Sequence, residues 1–322
     1  MTSPASLPLS LAKRALLRFF QTVIALGTIL IVLSLGVWAY PPLIIFGRPG
    51  LASSPYCTQW KTFVESKVLL DQEKLEARIR KDSALIERDG PIELWQTPHG
   101  RFWVPTDEGL SVLHILLAQQ ERNIYGGEKY GVRRGDVVFD LGAHVGTYVR
   151  KALDAGASKV IAVEPTPLVV ECLRRNFPAE IASGRVVVVA KGIWDKEDTL
   201  DLFGGGSAGS GNTFINDTGQ TAAKSIQGIP VTSIDRVVDE LKLERVDFVK
   251  ADIKGAVTRM LTGGAATIRR FHPRMVLSTE EPPEEPKPIN DALLAIAPGY
   301  KLICGPCLIR GGEIRNDVIF FQ

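Results

Sequence analysis

The residues with the clearest chemistry are two acids and two glycines in a fixed order. Asp140 closes a short apolar run, V-V-F-D, and Gly142 and Gly146 follow before a helix-like segment begins. A glycine at 142 lets the backbone turn sharply toward a ligand, and one at 146 lets the next helix start close against the strand. Glu164 stands 24 positions after Asp140, at the end of a second apolar run, V-I-A-V-E-P. In a doubly wound sheet a carboxylate at that place accepts hydrogen bonds from ribose hydroxyls, in a crevice at the carboxyl ends of the strands. The loop spacing is G-x-x-x-G, whereas a pyrophosphate site uses G-x-G-x-x-G to seat phosphates on a helix N-terminus. The pattern predicts a ribose-containing ligand that need not carry phosphate. Either element alone is common in α/β proteins; their order and separation carry the reading.

A third acid, Asp252, ends the run D-F-V-K-A-D, with Lys254 two positions on. Facing the same crevice, Asp252 suits orienting a hydroxyl or accepting its proton. Lys254 suits an anionic group or a pairing with Asp252, and equally reads as a surface lysine. Glu280 ends R-M-V-L-S-T-E, ahead of four prolines between 282 and 288. It reads as part of a rigid pocket wall or of a solvated acidic loop.

Three further motifs are set aside. C-G-P-C at Cys304 to Cys307 matches a redox centre in letters, but that chemistry needs the first cysteine at a helix N-terminus, and L-I-R-G-G-E follows instead. G-G-S-A-G around Ser207 matches a nucleophile-elbow string with no helix behind it. His272, beside Pro273, reads as structural at the start of a buried strand.

Taken together, D-L-G-A-H-V-G followed by V-E-P resembles the motifs of class I S-adenosylmethionine-dependent methyltransferases, and the longer pattern resembles the FkbM-type methyltransferases. The resemblance runs from about residue 125 to 322 and includes G-D-V-V-F-D-L-G-A-H-V-G, V-I-A-V-E-P, V-V-V-V-A-K-G-I-W-D, I-P-V-T-S-I-D-R-V-V and D-F-V-K-A-D-I-K-G-A. It implies S-adenosyl-L-methionine as cofactor. Asp140, Gly142 and Gly146 would line its methionine part, Glu164 its ribose, and the stretch from Gly192 to Trp194 its adenine, with Ala143, His144 and Pro165 as further contacts. The expected catalytic group is Asp252, Lys254 and Glu280, with no metal. Two departures stand out. The family usually has Asn at the position of His144, and it reads K-x-D-x-E-G-A-E where this chain reads K-A-D-I-K-G-A-V. Lys254 and Val257 thus replace two carboxylates, while Lys250, Asp252 and Gly255 are kept. The implied activity is O-methylation of a hydroxyl on a glycan, lipid-linked sugar or related metabolite. The alternatives are a non-catalytic, membrane-tethered cofactor-binding or scaffold protein, and a redox protein using C-G-P-C.

Short Val- and Ile-rich runs separated by helix-length segments must position these residues, which is the signature of strands alternating with helices around a parallel sheet. Strands are predicted at 137–141, 160–163, 185–193, 248–251 and 275–279. Two more, 300–304 and 317–321, are expected to form an antiparallel hairpin through Gly311 and Gly312. The fold class is α/β: a seven-stranded, doubly wound, Rossmann-like methyltransferase sheet with an antiparallel C-terminal hairpin, preceded by an N-terminal transmembrane helix and a helical stalk or cap. The stalk is expected from Trp60 to about Arg88, a hairpin from Ile92 to Pro105 around P-H-G, and a helix from Glu108 to Asn123. The glycine-rich run from Gly204 to Gly211 reads as a flexible surface loop.

No charged residue lies between Arg18 and Arg48, and such a run can cross the roughly 30 Å hydrocarbon layer as a helix. It is longer than a signal-peptide core of about 7 to 15 residues and lacks an A-x-A-like cleavage site, so it reads as an uncleaved anchor. Trp38 and Tyr40 suit the lipid-water boundary, and Pro41 with Pro42 stops the helix. The expected organisation is a basic N-terminus (1–18), a transmembrane anchor (19–46), a helical linker and cap with hairpin (47–124) and a methyltransferase domain (125–322). Lys13, Arg14 and Arg18 outweigh Arg48, which by the positive-inside rule puts the domain outside the cytoplasm. The implied cofactor is made inside, and on that ground the cytoplasmic face is the expectation.

Composition bounds the rest. With 45% hydrophobic residues the chain builds a sizeable core, and a net charge of +2 gives no global field for a nucleic-acid backbone. The expected partners are the bilayer, through residues 19–46, and a small-molecule or glycan acceptor, with no nucleic acid. Four cysteines are too few for a disulfide scaffold, and four histidines lie too far apart for a local metal motif.

Overall fold

Near-continuous apolar runs fix the central sheet, because strands covered on both faces need apolar side chains on both. The strands are β1 (Val137–Leu141), β2 (Lys159–Val163), β3 (Val186–Val189), β4 (Phe248–Ala251), β5 (Arg274–Ser278), β6 (Leu302–Cys304) and β7 (Val318–Phe321). They lie in the order β6-β7-β5-β4-β1-β2-β3. Strands β1 to β5 pair in parallel, and β7 runs antiparallel to both β5 and β6, so the sheet is mixed. Alternation along the strands divides the core. Val137, Phe139, Leu141, Ile161 and Val249 pack on one face, while Val138, Val160, Phe248 and Val276 pack on the other.

The computed structural model describes residues 9–39, 52–53, 56–65, 67–204, 211–214, 225–279, 286–310 and 313–322. Two units emerge, residues 1–52 and 53–322. The first contains a helix, Leu9–Ala39, of 31 residues. Within it Leu16–Leu35 has a mean hydropathy of 2.1 and is long and apolar enough to cross a membrane. The helix begins ahead of the basic residues Lys13, Arg14 and Arg18, earlier than the expected start at 19; Tyr40, Pro41, Pro42 and Arg48 lie outside the described residues.

In the second unit the expected long helix between 60 and 88 divides. Gln59–Glu65 and Lys67–Lys81 are helical, but Ala84–Asp89 is a strand, so Ile86 belongs to a sheet. That strand pairs with Ile92–Thr97, which pairs with Gly100–Pro105 around the P-H-G turn. The helix Gly109–Glu121 follows. This cap shares one apolar cluster with the sheet's helices: Ile92, Phe102, Leu113 and Leu117 meet Val145, Val169 and Cys172. Asn176 adds a polar tie, accepting from the Trp103 backbone N–H at 2.7 Å and donating to the Val145 carbonyl at 2.9 Å.

Three further expectations are corrected. The run 185–193 is two strands: β3 leaves the main sheet after Val189, and Gly192–Ile193 pairs with Ser225–Thr232 in a small second sheet. The C-terminal strands β6 and β7 do pair, but Gly311 and Gly312, which lie outside the described residues, do not join them directly. An inserted hairpin, Cys307–Arg310 with Glu313–Asn316, intervenes. His272 does not begin a strand; it ends the helix Ala265–Phe271 in the left-handed region (φ +47°) and stacks on Tyr300. Most of the glycine-rich loop, including Ser207, lies outside the described residues.

One disulfide, Cys57–Cys307, ties the chain ahead of the cap to the inserted hairpin, 250 residues away. It is a single clasp rather than a scaffold, and it uses the second cysteine of C-G-P-C. Cys304 is a free thiol, and partial burial pushes its pKa up, the opposite of what a redox nucleophile needs.

Candidate functional site

The carboxyl ends of β1, β2 and β4 open onto a cavity of about 380 Å³. Gly142, His144, Glu164, Pro165, Gly192, Asp252 and Lys254 line it. Parallel pairing brings these residues together, because strands β1, β2 and β4 all end at the same edge.

The loop after β1 is held by its own protein contacts. A Cβ on Gly142 would sit 2.2 Å from the Asp252 carbonyl oxygen, so glycine lets the β1 and β4 loops touch. A Cβ on Gly146 would meet the Phe177 ring at 2.2 Å, so this glycine seats the helix Thr147–Asp154 against its neighbour. Between them His144 adopts φ +49°. Asn, Asp and His tolerate this region best, which gives a physical reason why His stands where the resembled family usually has Asn.

Glu164 organises the same loop. Its Oε2 accepts from the His144 backbone N–H at 3.0 Å and its Oε1 from the Thr166 backbone N–H at 2.9 Å. The carboxylate is buried and fixed in place, with its remaining lone pairs available to hydroxyl donors. Thr166 also lines the cavity, and its buried hydroxyl has no hydrogen-bond partner among the described residues. A fixed carboxylate, a nearby unpartnered hydroxyl and a loop of closely approaching backbone fit a ribose-bearing cofactor.

Asp140 is placed differently from expectation. It is fully buried beneath the loop and does not line the cavity; Lys250, its register partner on β4, puts Nζ 3.0 Å from its Oδ1. Lys250 also donates to the Gly142 carbonyl at 2.9 Å. Burial pushes the Asp140 carboxyl above its ordinary value, with Lys250 opposing. Among the described residues that carboxyl is tied to the loop only through Lys250. Ala143 and Gly146 likewise stand behind the cavity wall.

Trp194 is outside the cavity as well. Its backbone N–H donates to Thr232 and its ring lies under Arg259, while Phe214 takes the place beside Gly192. Glu280 lies outside the described residues. Val257 is fully buried in the core at the start of the helix Val257–Gly263, where a carboxylate would be costly. Among the described residues no group of three or more His, Cys, Asp or Glu gathers as a metal site.

Two contacts were missed in the sequence because they come from residues on either side of the helix Gly109–Glu121. The Tyr125 hydroxyl donates to Asp252 Oδ2 at 2.9 Å, and Tyr125 packs edge-on against Tyr148 beside the Lys250 ammonium. Glu108 Oε2 lies 2.8 Å from His144 Nε2. Neither follows from local spacing, since the pairs are 127 and 36 residues apart.

A family model described as the methyltransferase FkbM domain matches residues 140–301, half of the chain. No curated protein matches the sequence. Among solved structures, methyltransferase FkbM from Methylobacillus flagellatus KT aligns with 12% identity over 80% of this chain, at a TM-score of 0.45. This chain spans 60% of that structure's length. Precorrin-6Y C5,15-methyltransferase from Geobacter metallireducens aligns with 12% identity over 68% of this chain and 91% of its own, at a TM-score of 0.34.

Proposed function

This chain belongs to the FkbM methyltransferase family, and from that premise we propose that it is a membrane-anchored, S-adenosylmethionine-dependent O-methyltransferase. The acceptor is a hydroxyl on a glycan, lipid-linked sugar or related metabolite. The observation that carries the reading is the Glu164 carboxylate, fixed by two backbone N–H groups at the end of β2 and facing the same cavity as Gly142 and Asp252.

The cofactor supplies an activated methyl group on a sulfonium, which leaves the protein to align, desolvate and in some cases accept a proton. Glu164 and Thr166 would hold the ribose, with Pro165 and Gly192 beside it. Asp252, oriented by Tyr125, would align the acceptor hydroxyl and take its proton. Lys254, lining the same cavity, would receive an anionic group of the acceptor.

The apolar helix Leu9–Ala39 supports an anchor. Its basic N-terminal flank and the Cys57–Cys307 disulfide together favour the non-cytoplasmic side over the cytoplasmic one expected from the cofactor, because disulfides persist where the surroundings are oxidising. An enzyme so placed draws on cofactor delivered across the membrane.

Isothermal titration of the full chain in detergent with S-adenosylhomocysteine tests the reading. Binding is expected, and Glu164→Ala should weaken it by about 10- to 100-fold, the equivalent of losing hydrogen bonds to a charged acceptor. Unaltered binding in a variant with native circular dichroism would refute the ribose assignment. Replacement of two family carboxylates by Lys254 and Val257 keeps a second reading in view, a non-catalytic cofactor-binding protein. Methyl-donor consumption on membrane-lipid and glycan extracts separates the two: binding without turnover favours the second.

A further inference from the structure

One wall of the cavity lies outside the family-matched residues. The helix Gly109–Glu121 turns Val112, Ile115, Leu116 and Gln119 toward it, the i, i+3, i+4, i+7 stripe of a single helical face. Three of these side chains are apolar, and Gln119 is the exception. Its carboxamide oxygen is buried, with no hydrogen-bond partner among the described residues. A buried carbonyl oxygen left without a donor is unfavourable, and native proteins rarely keep one without a reason.

The backbone that carries Gln119 is held at both ends. At one end Glu108 holds His144 on the loop after β1; at the other, Tyr125 holds Asp252 on the loop after β4. Arg122, just past the helix, donates to Gln72 Oε1 at 2.7 Å, which fixes the last turn against the neighbouring helix. The segment is thus tied at both ends to the two loops that shape the cavity. The result is a fixed wall that carries an unpartnered acceptor beside a cavity already lined by Glu164 and Thr166.

We propose that Gln119 is a cofactor-contacting residue, whose carboxamide oxygen accepts a hydrogen bond from an N–H or O–H group of the bound S-adenosyl cofactor. The inference rests on the cofactor reading above. An adenosyl amino acid carries donors at its ring amino group, its ribose and its ammonium. Gln119 and Glu164 line the same cavity, so a turn of the carboxamide toward a bound cofactor would satisfy an acceptor that the protein alone leaves open.

The test is isothermal titration of the full chain in detergent with S-adenosylhomocysteine, for the natural sequence, Gln119→Leu and Gln119→Glu, with thermal melts of each. Gln119→Leu keeps the volume and removes the acceptor; affinity should fall about five- to tenfold, the worth of one hydrogen bond. Gln119→Glu keeps an acceptor and should bind within about threefold of the natural protein. Equal affinity in Gln119→Leu and the natural sequence would overturn the assignment. So would equal weakening in both variants, which marks a packing role. Failure of the natural sequence to bind at all would remove the cofactor reading, and this inference with it.

Discussion

Lys250 and Asp140 face each other across the adjacent strands β4 and β1, Nζ 3.0 Å from Oδ1, and their side chains are 4% and 0% exposed. Each is the one charged residue in its strand. The parallel register makes the two interruptions coincide, so neither charge is buried alone. The same ammonium reaches the Gly142 carbonyl and lies near the Tyr125 and Tyr148 rings. A packing element of the sheet therefore also braces the loop after β1.

Removing one partner should expose this dependence. Lys250→Met is expected to destabilise the fold by about 3–5 kcal/mol near neutral pH, the range for an uncompensated buried charge. The pH dependence has a definite sign. Burial holds the Asp140 carboxyl above its ordinary 3.8, so the folded state binds that proton more tightly than the unfolded chain. The stability involved is present below 3.8 and is lost as pH rises through the folded value. Without Lys250 the shift grows, so the penalty should shrink as pH falls toward 4. Urea midpoints at pH 5 and 7.5 check this; a pH-independent difference would contradict it.

Much of the site was legible in the sequence, and the misses have particular causes. Gly142, Glu164 and Asp252 line one cavity, as their positions suggested, because strand ends in a parallel sheet converge on one edge, so position along the chain encodes place. The same logic misplaced Asp140, because a strand-end acid can point below the loop as well as above it. Only the opposing Lys250 decides, through a register that spacing does not reveal. Gly142 and Gly146 were read correctly as loop glycines, but the atoms that require them belong to Asp252 and Phe177, far along the chain. Tyr125 and Glu108 escaped because the segments flanking the helix Gly109–Glu121 carry no periodic signal for where they dock. The Cys57–Cys307 pairing escaped for the same reason, and the nearer C-G-P-C spacing pointed to the wrong partner.

That disulfide yields a chemical prediction. Denatured, unreduced protein should take up two maleimide labels, at Cys172 and Cys304, and four after reduction. Cys57→Ser should lower stability by about 2–5 kcal/mol, since the cross-link spans most of the chain and restricts the unfolded state. Mass spectrometry counts the labels. Four labels without reduction, in protein recovered from membranes, would remove the argument for an oxidising compartment.

Kinetics should separate Asp252 from its neighbours. The Tyr125 hydroxyl fixes one carboxylate oxygen of Asp252 at 2.9 Å, so the group meets the cavity in one orientation. Asp252→Asn keeps the shape and removes the basicity, and turnover should fall about 100-fold or more, the low end of general-base contributions, with S-adenosylhomocysteine affinity little changed. Tyr125→Phe leaves the carboxylate in place without its tether. It should lower kcat less than Asp252→Asn does, because the base remains and only its orientation is lost. Lys254→Ala should chiefly raise the acceptor KM, as the loss of uniform binding does. Steady-state kinetics on the acceptor found in extracts, beside titration with the product cofactor, resolves the three. Full turnover in Asp252→Asn would remove the proton-accepting role. Higher activity in Lys254→Glu would show instead that the substitution of a family carboxylate has weakened catalysis in this chain.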